Sequence, residues 1–272
     1  MAGRCGVDNM SVDEAILAAV AAGGSPPTVR LYAWDPPSVS LGYFQEPAED
    51  VVDLAECGRR GVDVVRRTTG GGAILHQHEV TYSVCLPERL VPAGDVGASY
   101  AWICGAICRG LAALGAGAQL RGGETDGAEG EVSTEICFAR GSRFDVVTGG
   151  RKLVGSAQRR IKGAMLQHGS VLLSVDREAH RALFPSDPGY GGAFWGLDEV
   201  LGRTVSPEEA AGAVTAGLGE IACGDGGLEP GELTGAEETA AARLRDERYS
   251  DADWTIRGTP RRRRGANAHI RV

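Results

Sequence analysis

Nowhere in the 272-residue sequence is there an apolar run long enough to cross a bilayer. The opening residues Met1-Ala2-Gly3-Arg4-Cys5 lack the apolar stretch of a secretory signal, and Asp8 interrupts early. A cytoplasmic protein with no membrane partner is therefore expected. The seven cysteines form no Cys-x-x-Cys pair, and their number is odd, which favours free thiols over a disulfide framework. Cys104 and Cys108 stand four apart on one helical face. The second ligand pair that a closed zinc site requires is missing, so no metal is expected. Positive charge is in deficit, with 28 Lys and Arg against 36 Asp and Glu and a net charge of −8. That balance does not favour a nucleic-acid partner. Internal repeats and a clear domain linker are also lacking.

What remains is an ordinary globular composition, 43% hydrophobic and 24% charged. The length suits one large α/β core, or a core with a small appendage. One stretch departs from the acidic average. Between Val146 and Val175 there is no Asp or Glu, yet Arg151, Lys152, Arg159, Arg160 and Lys162 all fall there. Such a patch can dock an acidic partner or merely solvate a strand face.

Patterning places the elements. Ser11 to Glu14 reads as a capping box opening a helix that buries Met10, Ile16, Leu17 and Val20 and stops at Gly23-Gly24. Strands are expected over Thr28–Trp34, Val39–Tyr43, Val62–Val65, Val80–Leu86 and Met165–Val175. Helices are expected over Val51–Gly58 and Ser99–Leu114. A hairpin turning at Thr148-Gly149-Gly150 joins strands Phe144–Val147 and Lys152–Gln158. Gly122 to Glu135 is acidic and Gly-rich, and reads as a mobile loop. Ser206-Pro207-Glu208-Glu209 starts a helix, and Thr234 to Glu237 starts another.

Three segments carry chemistry. Arg66-Arg67-Thr68-Thr69-Gly70-Gly71-Gly72-Ala73-Ile74-Leu75-His76 follows a strand. Its glycines let backbone approach a ligand, and its arginines can bind an anionic or carbonyl-rich group. A ligand-free turn explains the same glycines, and no Gly-Lys-Ser/Thr ends the loop as in a Walker motif. In Gly150-Arg151-Lys152-Leu153-Val154-Gly155-Ser156-Ala157-Gln158, small residues within a strand mark a close approach by ligand or backbone. The third is Leu166-Gln167-His168-Gly169-Ser170, whose histidine, taken alone, fits a packed structural role.

In this order the segments resemble the biotin/lipoate protein ligase superfamily. Asn9 to Ala15 is similar to its opening helix, Arg66–His76 with Glu79–Val84 to its Arg-Arg-x-x-Gly-Gly signature and following strand, and Gly150–Gln158 to its Gly-Arg-Lys-x-x-Gly-Ser-Ala signature. The resemblance runs from about Asn9 to Ser174, with an echo at Tyr249–Trp254. ATP-dependent ligases of the superfamily place an Asn-Asp pair before the lysine strand. Here Ile136-Cys137-Phe138 stands there, as in cysteine-type octanoyltransferases. Ala139-Arg140-Gly141-Ser142 departs from the proline-containing stretch of that group.

The resemblance implies an α+β fold with a mixed sheet flanked by helices. It implies one catalytic domain over residues 1–255, a basic and disordered tail over 256–272, and no cofactor. Cys137 would be the nucleophile and Lys152 the neighbouring cation and acid–base group. Arg66, Arg67, Gly70, Gly71, Gly72, His76, Gly155, Ser156, Ala157, His168 and Gly169 would bind substrate. The donor would be octanoyl-acyl carrier protein, and the acceptor a lipoyl domain such as glycine cleavage H protein. The alternatives are an ATP-dependent lipoate–protein ligase, an amidotransferase moving octanoate between lipoyl domains, and a non-catalytic binder of lipoyl domains.

Overall fold

The computed structural model describes residues 3–93, 95–122, 142–161, 163–186, 193–222 and 227–258. Its strands are β1 (Gly3–Arg4), β2 (Thr28–Trp34), β3 (Ser38–Leu41), β4 (Asp63–Arg66), β5 (Ile74–His76), β6 (Glu79–Pro87), β7 (Gln119–Leu120), β8 (Val146–Thr148), β9 (Arg151–Ile161) and β10 (Ala164–Leu172). Its helices are α1 (Gly6–Ala21), α2 (Ala48–Val51), α3 (Leu54–Arg60), α4 (Val96–Ala112), α5 (Arg177–Leu183), α6 (Leu197–Leu201), α7 (Pro207–Gly219) and α8 (Gly235–Leu244). A seven-stranded sheet runs β1-β2-β6-β10-β9-β8-β7, and a small sheet runs β4-β3-β5. Both sheets mix parallel and antiparallel pairs, since β1–β2 and β3–β4 are parallel while β2–β6 and β3–β5 are antiparallel. This is the mixed α+β architecture read from the sequence.

Strand alternation sorts side chains onto the two faces of the large sheet. Val80, Tyr82 and Val84 of β6 share a core with Ile103, Ile107 and Leu111 of α4 and Val214 and Leu218 of α7. Cys85 of β6 and Leu166 of β10 turn the other way and pack with Ile16, Leu17 and Val20 of α1 and Ala241 of α8. Both faces of β6 and β10 are covered, so every residue of β10 is buried. The small sheet closes over α2, α3 and α5 through Val39, Leu41, Val51, Cys57, Leu75 and Leu183.

Caps explain most helix starts. Asp95, Ser206 and Thr234 each accept a main-chain N–H from three residues on. Three helices start without a side-chain cap, α1, α2 and α6; of these, α1 begins at Gly6 and carries Ser11 inside it, with Ser11 Oγ donating to the Val7 carbonyl at 2.6 Å. Tertiary contacts fix its start instead. Asn9 Nδ2 donates to the carbonyls of Arg4 and Ala33, both at 3.0 Å. Glu14, expected to close a capping box, is taken by Arg248 and Tyr249. The helix expected over Val51–Gly58 is two helices, because Asp53 caps α3 by accepting from Glu56 N. After α8 the chain continues as π-helical turns at Arg245–Tyr249 and Asp253–Arg257. The second turn crosses the domain boundary expected at 255. The tail from 259 onward and the Gly-rich stretch at 123–141 lie outside the described residues. No described helix is long and apolar enough to cross a membrane.

Helices α4 and α7 meet at two glycines. A Cβ on Gly110 would lie 2.0 Å from the Ala213 carbonyl oxygen, and one on Gly217 would lie 2.2 Å from that of Ala106. A methyl group at either position must separate the helices. Gly217→Ala is expected to destabilise the fold by about 1–3 kcal/mol, the usual cost of overpacking, read as a lowered urea midpoint at unchanged slope.

His180 of α5 is buried beside Phe184 and Phe194, with its Nδ1–H on the Asp176 carbonyl at 2.7 Å. Burial pushes its pKa down to about 4 from the usual 6.5. The unfolded chain therefore binds this proton between those values and the folded chain does not, so stability is lost as pH falls through that window. Thermal melts from pH 7 to 4 should show a declining midpoint, and His180→Phe should make the decline shallower.

Candidate active site

Arg66 ends β4 and Arg67 follows it, so their side chains leave the chain in opposite directions. Both are buried. The Arg66 guanidinium donates to the carbonyls of Gly42 (2.8 Å), Gln45 and Glu46 (3.0 Å each) and Thr255 (3.3 Å). Its own carbonyl accepts from Trp254 Nε1 at 2.9 Å. Arg66 thus fastens the loop after β3 and the C-terminal turn to β4. Arg67 folds back on its own loop. Its Nη2 donates to the carbonyls of Gly70 (2.7 Å) and Gly72 (2.8 Å), and its Nη1 to the carbonyl and hydroxyl of Ser40 (2.8 and 3.0 Å). Its Nε donates to Thr69 Oγ1 at 3.1 Å. The carbonyl-rich group that these arginines bind is the protein's own backbone. The glycines are required by proximity: a Cβ on Gly42 would fall 1.9 Å from the Gly71 carbonyl oxygen, and Gly71 itself has φ +92°.

Beside this loop lies a narrow cavity, partly open to solvent. Arg67, His76, Gly155, Ala157, His168 and Gly169 line it, which brings together six of the residues read from the sequence. Met10, Tyr32, Trp34 and Ile74 supply apolar wall, and Ser40, Thr81 and Ser170 supply hydroxyls. Register explains the selection. Ala157 pairs with His168 and Gly155 with Ser170, so all four point to one face. The small side chains at 155 and 157 leave the space. Ser156 belongs to the opposite face, where its hydroxyl meets Tyr82 at 2.6 Å and Cys104 at 3.7 Å. Arg66, Gly70, Gly71 and Gly72 flank the cavity without lining it.

Two acid–histidine–hydroxyl chains run along the wall. Asp13 Oδ2 is 3.2 Å from His168 Nδ1, and His168 Nε2 is 2.7 Å from Thr69 Oγ1. Glu79 Oε1 is 2.8 Å from His76 Nδ1, and His76 Nε2 is 2.7 Å from Ser40 Oγ. Arg67 donates to both hydroxyls. Asp13 also binds Arg30 at 2.8 Å and accepts from Tyr32 and Ser83. Burial pushes the Asp13 carboxyl up, but His168, Arg30 and Tyr32 together outweigh it and hold it below its usual value. Burial holds His168 below its usual value despite Asp13. An ionised Asp13 beside a neutral His168 satisfies both. Trp34 stacks flat on His76, with centroids 3.9 Å apart at 10°.

Lys152 does not line the cavity. Its Nζ lies 2.9 Å from Asp145 Oδ1, with both side chains buried. Asp145 also accepts from Ser142 N at 2.8 Å. Cys137 lies outside the described residues. Of the described thiols, burial pushes Cys57 and Cys104 up to about 11 and Cys108 to about 12, and raises Cys85 well above its usual value. These thiols are protonated at neutral pH and suit packing rather than attack. The basic stretch divides as well. Arg159 donates to the Thr68 carbonyl at 2.8 Å on the cavity side, while Arg160 meets Glu88 and Ser99 on the other. Lys162 is outside the described residues. Neither Asp145 as a partner for Lys152 nor the roles of Asp13, Thr69 and Ser40 could be read from sequence, because only folding joins them to their partners.

Comparison with known proteins agrees with this fold. Residues 6–218 match the family described as lipoyl protein ligase A/B catalytic domain. The chain is 42% identical to octanoyltransferase LipM of Kyrpidia tusciae, over 92% of this chain and 94% of that one. It is 40% identical to octanoyltransferase LipM of Symbiobacterium thermophilum, over 93% and 95% respectively. Among solved structures it resembles lipoate-protein ligase A bound with ATP, with TM-score 0.75 and 27% identity over 94% of this chain and 98% of that one. It also resembles the bi-partite lipoate protein ligase of Thermoplasma acidophilum, with TM-score 0.75 and 26% identity over 96% and 98%. The chain is an acyltransferase that belongs to the lipoyl protein ligase A/B catalytic-domain family.

Proposed function

We propose that the protein moves an octanoyl group from octanoyl-acyl carrier protein to a lysine of a lipoyl domain, such as glycine cleavage H protein, through a thioester on Cys137. The observation that carries this reading is the 42% identity to an octanoyltransferase over nearly the full length of both chains. The chemistry is self-sufficient. Exchange of one thioester for another is near balance, and attack of an amine on a thioester runs downhill, so no nucleotide is required. Cys137 gives up its thiol proton and attacks the donor carbonyl, the carrier sulfur leaves and takes up that proton, and the lysine amine then displaces the cysteine sulfur, which regains a proton from the amine. Lys152, held by Asp145, supplies fixed positive charge to this centre. The cavity beside the glycine loop takes the acyl chain, each buried methylene contributing about 0.8 kcal/mol.

Mixing the protein with octanoyl-acyl carrier protein in the absence of nucleotide should give an octanoyl adduct by intact mass, mapping to Cys137. Cys137→Ala should give none. Likeness to an ATP-bound ligase supports a second reading, in which free lipoate is activated first. An adduct or product that appears only with ATP would favour that reading and reject the thioester route.

Trp34 bears on chain length. It lines the acyl cavity and also a second, roomier pocket formed with Glu79, Leu173, Val205 and Pro207. Its indole is held in place by His76 and by donation to Thr81 Oγ1 at 2.7 Å. Trp34→Ala should join the two spaces. Assayed with donors of graded length, it should raise activity on chains longer than C8 relative to C8. An unchanged length profile would remove Trp34 from this role.

A further inference from the structure

We propose that Arg67 is a positioning residue. Through Thr69 and Ser40 it holds His168 and His76 with Nδ1 protonated and Nε2 accepting, and so keeps both imidazoles on the wall of the acyl cavity uncharged. This rests on reading the cavity as the acyl slot.

Donor counting leads to the assignment. A guanidinium only donates, so Thr69 Oγ1 accepts from Nε at 3.1 Å and Ser40 Oγ accepts from Nη1 at 3.0 Å. Each hydroxyl has one proton left, and its remaining close partner is an imidazole Nε2 at 2.7 Å. At the far side of each ring, Nδ1 faces a carboxylate, Asp13 at 3.2 Å or Glu79 at 2.8 Å. A carboxylate accepts, so Nδ1 carries the proton and Nε2 accepts from the hydroxyl. Both chains then run in one direction, from the cation through hydroxyl and imidazole to a carboxylate. On these two paths each hydroxyl and each imidazole nitrogen is satisfied without a second proton on either ring, while Glu79 Oε2 is buried without a hydrogen-bond partner.

The charges agree. The charged groups around the rings are Asp13 of α1, Arg30 of β2, Arg67 and Glu79 of β6, two of each sign. From β9, Arg159 turns to the Thr68 carbonyl. From β10, Ser170 donates to Glu79 at 2.7 Å and lies 3.3 Å from His76 Nδ1. Tyr32 donates its hydroxyl proton to Asp13. The set is neutral only when both histidines are. Burial, Arg67 and His76 all disfavour a proton on His168, against Asp13, which favours it. A charged ring here would draw water into the slot meant for hydrocarbon.

The test is ¹⁵N spectroscopy of histidine-labelled full-length protein, with donor kinetics. At pH 7 the wild-type His76 and His168 signals, assigned by single His→Gln variants, should both report Nδ1–H with bare Nε2. An Nε2–H tautomer or an imidazolium at either ring overturns the proposal. Arg67→Lys keeps a charge but cannot reach both hydroxyls, and should raise donor KM about tenfold, the size of one lost buried hydrogen bond, with a smaller change in kcat. In Arg67→Met the His168 ring, freed of the nearby cation, gains affinity for protons, so donor KM should climb as pH falls from about 7.5 to about 6 while that of the wild type stays flat. Equal pH profiles would also overturn it. The tautomers are read without substrate. A missing Cys137 adduct with the stated tautomers therefore rejects the thioester route alone, and the wrong tautomers with a normal adduct reject the role of Arg67 alone.

Discussion

Two adjacent guanidiniums are taken wholly out of water, and much of the site is arranged around satisfying them. Burying a charge costs several kcal/mol unless its donors find partners. Arg66 and Arg67 find theirs chiefly among main-chain carbonyls. The segments that contribute those carbonyls are thereby fixed in space. Arg66 ties residues 42–46 and the C-terminal turn to the end of β4. Arg67 winds residues 69–72 around itself and reaches across to β3. The glycine loop is consequently a rigid object, shaped by a cation at its centre.

The large sheet divides labour between its faces. Toward α4 and α7 it is a packed core, closed by glycine contacts between those helices. Toward α1 and the small sheet, Gly155 and Ala157 leave room, and a ring of polar groups paired among themselves borders it. Gly169 permits this at the centre of the sheet: a Cβ there would lie 2.8 Å from Tyr82 Cε1 and 2.6 Å from the Gly155 carbonyl oxygen. A cavity whose hydroxyls and imidazoles are paired among themselves can accept hydrocarbon, because those groups do not need water.

The thiols follow the same logic of environment. Those of α3, α4 and β6 are raised by burial and are chemically quiet. Lys152, by contrast, is buried with the Asp145 carboxylate beside it, a pairing that offsets part of the cost of burying a charge.

By itself the sequence determined most of the strands and helices, though not β1, β5 or β7, and through the family resemblance the mixed α+β class and the segments that surround the cavity. Period-two and 3.6-residue patterns, caps and turn glycines are local, and β2, β4, β6, α7 and α8 depend on little else. It also determined the six cavity residues, through the motif order that carries the family resemblance. The tertiary structure alone decided what those residues touch. It turned Ser156 away from Gly155, because strand alternation acts on a register that only pairing with β10 sets. It spent Arg66 on backbone carbonyls, gave Lys152 to Asp145, moved the start of α1 to Gly6, and joined Asp13 to His168 across 155 positions of chain. Hydrogen bonds and ion pairs between distant segments leave no periodic trace in a sequence, since they form only once hydrophobic burial has brought those segments together.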